Sequence, residues 1–200
     1  MNKLEDIVIQ EKPDWVSWED IKECLYNAHA VNRAKGINMT HYLWPVEKIQ
    51  KSLGNNGVMF VALDDKRVVG TAAIAEKSGN AWYNHGRYAY MCFAGVLSEY
   101  NDRGIYKALV CKREVYAQKK GFHVLQLDTH KQNKHLQKIA LKNGYRYVRF
   151  FLASSNDHYS VVMVKWLNGC PYSNIFCWGK YQWSKLKTIV RTKVSHFKEQ

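Results

Sequence analysis

Apolar positions near the start of the chain predict one strand followed by two helices. Residues 6–10 form a short apolar run of the kind found in strands. Ser17, with Asp20 three residues later, forms a capping box that predicts the start of a helix, and Gly36 marks its end. Pro45 suits the first turn of a helix and begins the second helical stretch.

The middle of the chain alternates between strand and helix patterns. Two β-branched runs on either side of the charged turn at residues 64–66 predict a β-hairpin. The run at residues 88–96 lacks clean alternation, so we expect a strand buried on both faces. The further predicted elements are a helix over 104–121, a strand over 122–127, a helix over 132–143, and paired strands over 145–153 and 159–166.

The helix that begins at Gly104 is expected to turn its apolar side chains inward and its basic side chains toward solvent. The inward set is Ile105, Ala108, Leu109 and Val115, and the outward set is Lys107, Lys112, Arg113, Lys119 and Lys120. This helix would therefore present a basic outer face.

The composition changes near residue 167. The following segment is aromatic and uncharged, and residues 179–200 contain six basic side chains against one acid, Glu199. We therefore expect residues 1–166 to form one domain and residues 167–200 to form an extension. The apolar positions that follow helical spacing, and so predict a basic amphipathic helix, are Trp183, Leu186, Val190, Val194 and Phe197.

Three partners for this helix remain open. We favour packing of Trp178, Trp183 and the aliphatic stripe on the domain or on a second subunit, because amphipathic helices of soluble proteins usually bury their apolar face against protein. The basic residues would also suit an anionic membrane surface. Nucleic acid is the least favoured partner, since no nucleic-acid-binding module accompanies the helix.

Composition excludes several classes of protein. The 200 residues are 46% hydrophobic and 24% charged, with 12 Gly and 3 Pro, which is unlike collagenous, low-complexity or wholly disordered chains. No uncharged apolar run approaches the roughly 20 residues that span a bilayer, and the acidic N-terminus differs from a signal peptide. Five cysteines without a CxxC pair predict neither a disulfide framework nor a zinc site. We expect a cytoplasmic protein without a metal, and a peripheral position at the inner face of the membrane stays open.

The net charge of +13 is concentrated in one part of the chain. Residues 1–50 carry 6 basic and 8 acidic side chains, and residues 51–100 carry 5 and 4. Residues 101–150 carry 12 and 3, a net charge of +9, and residues 151–200 carry 7 and 2. This concentration predicts an anionic ligand near the middle of the chain.

A candidate anion site lies where the strand at 88–96 leads into the next helix. The sequence LSEYNDRGIYKAL, residues 97–109, places Gly104 at the start of that helix. A helix N-terminus offers unpaired N–H groups and the positive end of the helix dipole, and a glycine lets an anion approach the backbone. One such glycine alone is more often a plain structural turn. The surrounding basic residues and the order of the elements favour the anion site.

Two motifs resemble those of the GNAT superfamily of N-acetyltransferases. Residues 96–109 (VLSEYNDRGIYKAL) resemble its acetyl-CoA-binding segment, and residues 133–145 (NKHLQKIALKNGY) resemble its second signature. The order of predicted elements over residues 5–166 also matches. The resemblance implies an α/β (α+β) GNAT fold: a mixed, mostly antiparallel sheet of six to seven strands, flanked by about four helices, with two central parallel strands splayed apart by the cofactor.

The resemblance also implies which residues hold acetyl-CoA. Backbone amides of residues 103–107 would cradle the diphosphate, Ala94 and Val96 would pair with the pantetheine arm, and Asn133 would hydrogen-bond further along it. Nearby cations, namely Lys107, Lys112, Arg113, Lys131 and Lys134, would attract the polyanion. The cofactor-binding set is Ala94, Val96, Asn101, Arg103, Gly104, Ile105, Tyr106, Lys107 and Asn133.

The chain departs from the family pattern at four positions. The family often has Pro where Ser98 stands, usually Gln or Arg where Asn101 stands, and a small residue where Tyr106 stands. The tyrosine that often protonates the departing thiolate falls at Ala140. Substitutes for it are Tyr106, His135, Tyr145 or solvent, because a thiol is a fairly acidic leaving group.

The implied reaction is acetyl transfer by direct attack of an uncharged primary amine on the thioester carbonyl. A backbone N–H near Val96 would hold the oxyanion, and a base would remove the amine proton. The candidates for catalytic residues are Asp128 and His130, near the end of the strand after the cofactor helix, Glu99 beside the cofactor turn, and Tyr106. Each also has an ordinary structural interpretation as a surface or hydrogen-bonded residue.

Acceptor contacts are implied for the loop between the first two helices and for the last hairpin. These segments offer polar and aromatic groups that suit a small hydroxylated or aminated molecule such as an amino sugar, while a protein or peptide acceptor stays open. The alternative function, motivated by Ala140, is a catalytically weak or inactive GNAT-like CoA-binding regulator or scaffold with a basic tail for membrane or nucleic acid. A homodimer also stays open. The acceptor candidates are His29, Asn32, Arg33, His41, Tyr42 and residues 154–158.

Overall fold

A computed structural model describes residues 6–37, 40–153 and 158–198, without the side chains of Thr40, Tyr42 and residues 193–198. The strands are β1 (Ile7–Glu11), β2 (Val58–Asp64), β3 (Arg67–Gly79), β4 (Gly86–Val96), β5 (Val124–His130), β6 (Arg146–Leu152) and β7 (Tyr159–Trp166). The helices are α1 (Trp18–Ala28), α2 (Ala30–Ala34), α3 (Val46–Leu53), α4 (Ile105–Lys119), α5 (Lys134–Lys142) and α6 (Asn174–Lys198), with short 3₁₀ turns at Thr40–Leu43 and Ser98–Tyr100.

The seven strands form one mixed sheet in the order β1-β2-β3-β4-β5-β7-β6. Strands β4 and β5 run parallel, and the other neighbouring strands of the described sheet run antiparallel. The predicted hairpin is confirmed as β2 and β3, and the predicted final pair as β6 and β7. Because β7 lies between β5 and β6, strand β6 forms an edge of the sheet.

The first helix starts where the sequence predicts but ends earlier. The Ser17 hydroxyl accepts a hydrogen bond from the Asp20 amide at 3.0 Å, and the Asp20 carboxylate accepts one from the Ser17 amide at 3.1 Å. The predicted continuous helix to Gly36 is wrong, because the chain turns at His29 and divides it into α1 and α2. The turn directs the His29 ring toward β4.

Strand β4 is not buried on both faces. Ala89, Met91, Phe93 and Gly95 are buried, whereas the alternating residues Tyr90, Cys92, Ala94 and Val96 are half-buried. The expectation of two-sided burial is therefore wrong. The physical reason is that β4 borders a cavity in the protein, so its apolar run serves both the core and a binding surface.

Helix α4 is rotated relative to the prediction. Its buried side recurs every four residues, at Ile105, Leu109, Arg113 and Ala117. Arg113 is therefore 4% exposed, and Val115 is 43% exposed. The predicted orientations of these two residues are wrong, while Lys107, Lys112, Lys119 and Lys120 are exposed as expected.

The predicted C-terminal helix is confirmed as α6, but it packs through its polar face. The Ser184 hydroxyl accepts a hydrogen bond from the Phe150 amide at 2.8 Å, and the Thr188 hydroxyl donates one to the Phe150 carbonyl at 3.1 Å. The Tyr181 and Tyr147 rings lie 5.0 Å apart. These contacts cover the edge of β6, whose unpaired backbone groups need hydrogen-bonding partners.

The predicted packing of the apolar stripe on the domain is wrong for the side chains that the structure describes. Trp178, Trp183, Leu186 and Val190 are exposed. Val194 and Phe197 lie outside the described side chains. Within residues 6–37, 40–153 and 158–198, no helix is both long and apolar enough to cross a membrane.

Candidate active site

The central feature of the site is the separation of the two parallel strands. Strand β4 pairs with β5 at Ala89–Leu125 and Tyr90–Gln126. Beyond these pairs, β4 continues to Val96 and β5 to His130 without a shared ladder in the described sheet. Backbone groups of β4 consequently face a gap. A cavity of about 1220 Å³ lies there.

A β-bulge shapes the wall of this cavity. Cys92 pairs with Ala73 and Gly95 with Thr71, so β4 has an extra residue in between, and Phe93 adopts a φ of 47°. The Thr71 hydroxyl donates to the Phe93 carbonyl at 2.9 Å. The bulge thus turns the carbonyl of Ala94 toward α1.

His29 fixes the other side of the bulge. Its Nε2 lies 3.1 Å from the Ala94 carbonyl, and its Nδ1 lies 3.2 Å from the Asn32 side-chain nitrogen. Because a carbonyl only accepts and an amide NH₂ only donates, the ring carries its proton on Nε2 and is neutral. A side chain at Gly95 would place Cβ 2.8 Å from Ala28 Cβ, so glycine allows α1 to approach β4 this closely.

Two histidines in this region are held in the neutral form. Burial lowers the pKa of His29, and burial followed by the neighbouring His29 lowers the pKa of His41 to about 4. The two rings are 5.8 Å apart, and the His41 ring packs edge-on against Phe93 at 5.4 Å. This end of the cavity is therefore polar but not cationic through its histidines near neutral pH.

The N-terminus of α4 opens into the same cavity. Gly104 has a φ of 82° and its carbonyl accepts the first intrahelical hydrogen bond, from Ala108 at 3.0 Å. In the described structure no side chain caps this helix end. The unpaired N–H groups of the first turn and the helix dipole are consequently available to an anion. The lining residues here are Asn101, Asp102, Gly104, Ile105, Tyr106 and Lys107.

The turn from β5 into α5 forms the opposite rim. Asn133 lines the cavity and caps α5, since its side-chain oxygen accepts from the Leu136 amide at 3.3 Å. The buried Gln137 side chain donates to the carbonyls of His130 and Lys131 at 3.1 Å and 3.0 Å. Sequence reasoning missed Gln137, which holds this turn in place.

Asp128 lies where the two strands begin to diverge. It lines the cavity and accepts a hydrogen bond from the Tyr90 hydroxyl. Burial raises the pKa of Asp128 above its usual value, although the Tyr90 hydrogen bond acts in the opposite direction. Burial and the adjacent Asp128 raise the pKa of Tyr90 well above 10. The pair therefore consists of a carboxylate proton acceptor and a neutral phenol donor.

Cys92 lies on the same cavity wall, two residues from Tyr90. Burial raises the pKa of its thiol to about 12. Because the thiolate is the nucleophilic form, this cysteine remains a weak nucleophile near neutral pH.

Arg113 is a buried charge that faces the cavity. It is among the lining residues, and its Nε has no hydrogen-bond partner in the described part of the chain. A buried guanidinium nitrogen without a hydrogen-bond partner is costly, so its place on the wall fits a ligand that carries hydrogen-bond acceptors or negative charge. The four-residue step from Leu109 was the signal in the sequence that could have located it.

The structure brings together most of the predicted site residues. Asp128, Tyr106, His29, Asn32 and His41 line the cavity, together with Ala94, Val96 and Asn133. Arg103 is not among the lining residues, and its guanidinium lies 4.6 Å from the centre of the Tyr100 ring. The side chain of Tyr42 and residues 154–157 lie outside the described part of the chain.

Three further candidates point elsewhere. Glu99 forms an exposed ion pair with Arg67 at 3.0 Å. His130 is buried away from the cavity, where its Nδ1 accepts from the Gln132 amide at 3.1 Å and its ring lies 4.8 Å from that of His158. Arg33 packs on the Tyr26 ring at 3.7 Å.

The candidates for the thiolate proton also separate. Ala140 on α5 and Tyr145 just after it are buried in the core and do not line the cavity, whereas Tyr106 and His135 do. Among the described residues, no group of three or more His, Cys, Asp or Glu side chains could hold a metal ion.

Solved structures of similar fold share this architecture. A GNAT-family acetyltransferase from Staphylococcus aureus Mu50 has a TM-score of 0.63 and 18% identity, covering 80% of this chain and 99% of its own. Arabidopsis thaliana NAA60, solved with acetyl-CoA, has a TM-score of 0.60 and 17% identity, covering 82% and 99%. The ribosomal-protein-S18-alanine N-acetyltransferase of Escherichia coli has a TM-score of 0.59 and 12% identity, covering 84% and 97%.

One of the two sequence comparisons assigns the chain to a family. A search of curated protein sequences finds no significant match. The model of the acetyltransferase (GNAT) family matches residues 18–145, which include α4, the separated strands β4 and β5, and the cap of α5. The chain therefore belongs to the GNAT acetyltransferase family.

Proposed function

We propose that this protein transfers an acetyl group from acetyl-CoA to a primary amine of a small molecule. The observation that carries the proposal is the single cavity that joins the uncapped N-terminus of α4, the open side of β4 and the carboxylate of Asp128. These three features supply an anion site, a polar track and a base in one continuous space. The solved structure of the similar NAA60 with acetyl-CoA supports the choice of acyl donor.

Acetyl-CoA would bind from α4 inward along β4. Its diphosphate fits the free amides of Gly104 to Lys107, and the amides of its pantetheine arm fit the β4 backbone near Ala94 and Val96. Asn133 and Lys107 lie on the rim, where they would contact the remaining polar groups. The bound molecule would offer Arg113 Nε the hydrogen-bond acceptor that it lacks in the described part of the chain.

The proposed role of Asp128 is to accept the proton of the attacking amine. A raised pKa makes this carboxylate a stronger base than an exposed aspartate, while Tyr90 orients it by hydrogen bonding. The amine nitrogen bonds to the carbonyl carbon, and a backbone N–H near Val96 would stabilise the resulting oxyanion. The carbon–sulfur bond then breaks as the carbonyl re-forms, and the sulfur leaves as the thiolate. Tyr106, His135 or water would return a proton to the departing sulfur.

The acceptor would occupy the end of the cavity formed by α1, α2 and the turn at Thr40–Leu43. Here His29, Asn32 and His41 offer neutral polar groups, and Trp44 offers an aromatic wall. Such a surface suits a hydroxylated amine such as an amino sugar. The proposed reaction is compatible with a cytoplasmic monomer or homodimer.

Calorimetric titration with acetyl-CoA and with desulfo-CoA tests the donor site. We expect both to bind, and we expect Gly104→Asp to abolish binding by placing a carboxylate against the diphosphate. Gly86→Asp is the matched control, because Gly86 has a φ of 83°, open space around it and no place in the cavity lining. Absence of binding by the unchanged protein, or equal loss in both variants, would contradict the donor site.

Release of free CoA across a panel of small-molecule amines and peptides tests the reaction. We expect turnover with a small amine, and a loss of about 10²–10⁴-fold in rate for Asp128→Asn with acetyl-CoA affinity retained. Turnover with peptides alone would replace the proposed acceptor class. Tight binding without turnover on any amine would instead favour the non-catalytic regulator, in keeping with the burial of Ala140 in the core.

A further inference from the structure

We propose that α6 is a membrane-surface helix that lies on anionic lipid through its exposed apolar stripe. The stripe comprises Ile175, Trp178, Trp183, Leu186 and Val190, all exposed and spaced so that they lie on the side of the helix away from the sheet. The proposal is independent of the acetyl transfer, because none of these residues lines the cavity.

Helix α6 packs on the domain through its polar side and exposes its apolar side, which is the reverse of an ordinary amphipathic helix. Its polar face, with Ser184 and Thr188, is held against β6 by hydrogen bonds, and Cys177 is buried. Its apolar face points outward, with Trp178 61% exposed and Trp183 57% exposed. The side-chain hydrogen bonds therefore fix the helix with its tryptophans turned to the surroundings.

Basic residues border the stripe on both sides. Lys180 and Lys187 lie on one border, with Nζ atoms 5.3 Å and 5.1 Å from the ring centres of Phe176 and Trp183. Lys185 lies on the other border, where it joins Lys131 and Lys134 around a groove of about 350 Å³ between α6 and the sheet. The basic surface thus continues from the helix onto the domain.

This arrangement fits anionic lipid better than a second copy of the chain. Tryptophan is favoured at the boundary between lipid and water, and flanking lysines attract anionic headgroups. Residues 167–198 contain no acidic side chain, so two such faces would bring like charges together without a counter-charge. We infer that the occupant is a membrane surface rich in anionic lipid.

Co-sedimentation with vesicles tests the proposal. We expect the protein to bind vesicles of phosphatidylcholine and phosphatidylserine in equal proportion, at least about tenfold more tightly than vesicles of phosphatidylcholine alone. Raising the ionic strength should weaken binding to the mixed vesicles. Equal binding to both kinds of vesicle, or no binding to either, would overturn the proposal.

Two pairs of variants separate the apolar and the charged contributions. Trp178→Ser with Trp183→Ser should abolish vesicle binding, whereas Trp15→Ser, which removes a tryptophan of the same 57% exposure elsewhere, should leave it unchanged. Lys180→Glu with Lys187→Glu should weaken binding by more than about twentyfold, since each lysine contributes about a factor of five. Lys119→Glu with Lys120→Glu, at the C-terminal end of α4, is the charge-matched control.

Sedimentation velocity and circular dichroism complete the test. Each variant should keep the circular dichroism of the unchanged protein, and if the tryptophan pair does not fold, the lysine pair decides. A dimer that is lost on substitution of Trp178 and Trp183, combined with no affinity for anionic vesicles, would show that a second copy covers the stripe and would refute the lipid assignment.

Discussion

At the scale of single residues, Asp128 and Tyr90 join the two strands on either side of the cavity. The hydrogen bond between them joins Tyr90, the last residue of β4 that pairs with β5, to Asp128, which lies beyond the last residue of β5 that pairs with β4. It therefore couples the position of the proposed base to the point where the strands separate. Removing one partner changes both the orientation and the pKa of the other.

The pH dependence of the transfer rate should report this pair. Asp128 must be ionised to accept a proton, so kcat/KM should fall as the pH drops through its raised pKa. Tyr90→Phe removes the hydrogen bond that lowers this pKa, and we expect the acidic limb to move to higher pH. Profiles of the two proteins, with His130→Gln as a control outside the cavity, provide the measurement. An unmoved limb in Tyr90→Phe would exclude Asp128 as the titrating group.

Arg113 should cost stability when the cavity holds no ligand. In the described part of the chain its Nε lacks a hydrogen-bond partner, so Arg113→Met replaces a buried guanidinium that has an unpaired donor with an apolar side chain of similar length. We expect the free energy of unfolding in urea to rise by on the order of 1–3 kcal/mol. The exposed neighbour in Lys112→Met should change it by less than about 0.5 kcal/mol. Destabilisation by Arg113→Met would indicate that the charge is compensated within the protein.

At the scale of elements, the local signals in the sequence were reliable and the orientations were not. The capping box at Ser17 and the turn at Gly104 depend on residues that are neighbours in the chain, so the starts of α1 and α4 could be predicted. The two motifs likewise fall at the cavity, one at the start of α4 and the other at the cap of α5.

Orientation depends on what the rest of the fold places beside an element. From hydrophobicity alone, Arg113 is predicted to face solvent on α4, and the tryptophans of α6 are predicted to pack on the domain or on a second subunit. In the structure Arg113 is buried and the tryptophans do not pack on the domain. Arg113 faces the cavity, and the hydroxyl side chains of α6 hydrogen-bond with the backbone at the edge of β6. Tyr90 was missed for the same reason, since its partner Asp128 lies on a strand that is distant in sequence.

The contact between α6 and β6 should contribute measurably to folding. Ser184→Ala with Thr188→Ala removes two hydrogen bonds to the Phe150 backbone. We expect a loss of about 1–3 kcal/mol in the free energy of unfolding, because each net hydrogen bond contributes about 0.5–1.5 kcal/mol. Leu186→Ala on the exposed side is the control. If the double variant, like the Leu186→Ala control, unfolds at the same urea concentration as the unchanged protein, α6 does not stabilise the sheet edge.

At the scale of the whole molecule, the uneven charge should govern how acetyl-CoA reaches its site. Residues 101–150, which contain the N-termini of α4 and α5, carry a net charge of +9. Its attraction for a polyanion is screened by salt, so the Kd for acetyl-CoA should rise on the order of tenfold between low and high ionic strength. S-acetylpantetheine, which lacks the phosphates, should bind with an affinity that is nearly independent of salt. If salt raised the Kd of both ligands by the same factor, the result would argue against a charge-based anion site.

The strand order has a consequence for how the protein is made. Strand β6 leaves the ribosome before both of its neighbours in the fold, β7 on one side and α6 on the other. Strand β5, the far wall of the cavity, likewise waits for β7 as its main partner. The nascent chain must therefore carry β6 without a partner, and β5 with only its short pairing to β4, until its later residues emerge. During this period chaperone capture or misassociation competes with folding. Ligand binding can begin only after that interval, so the donor cannot assist the early stages of folding.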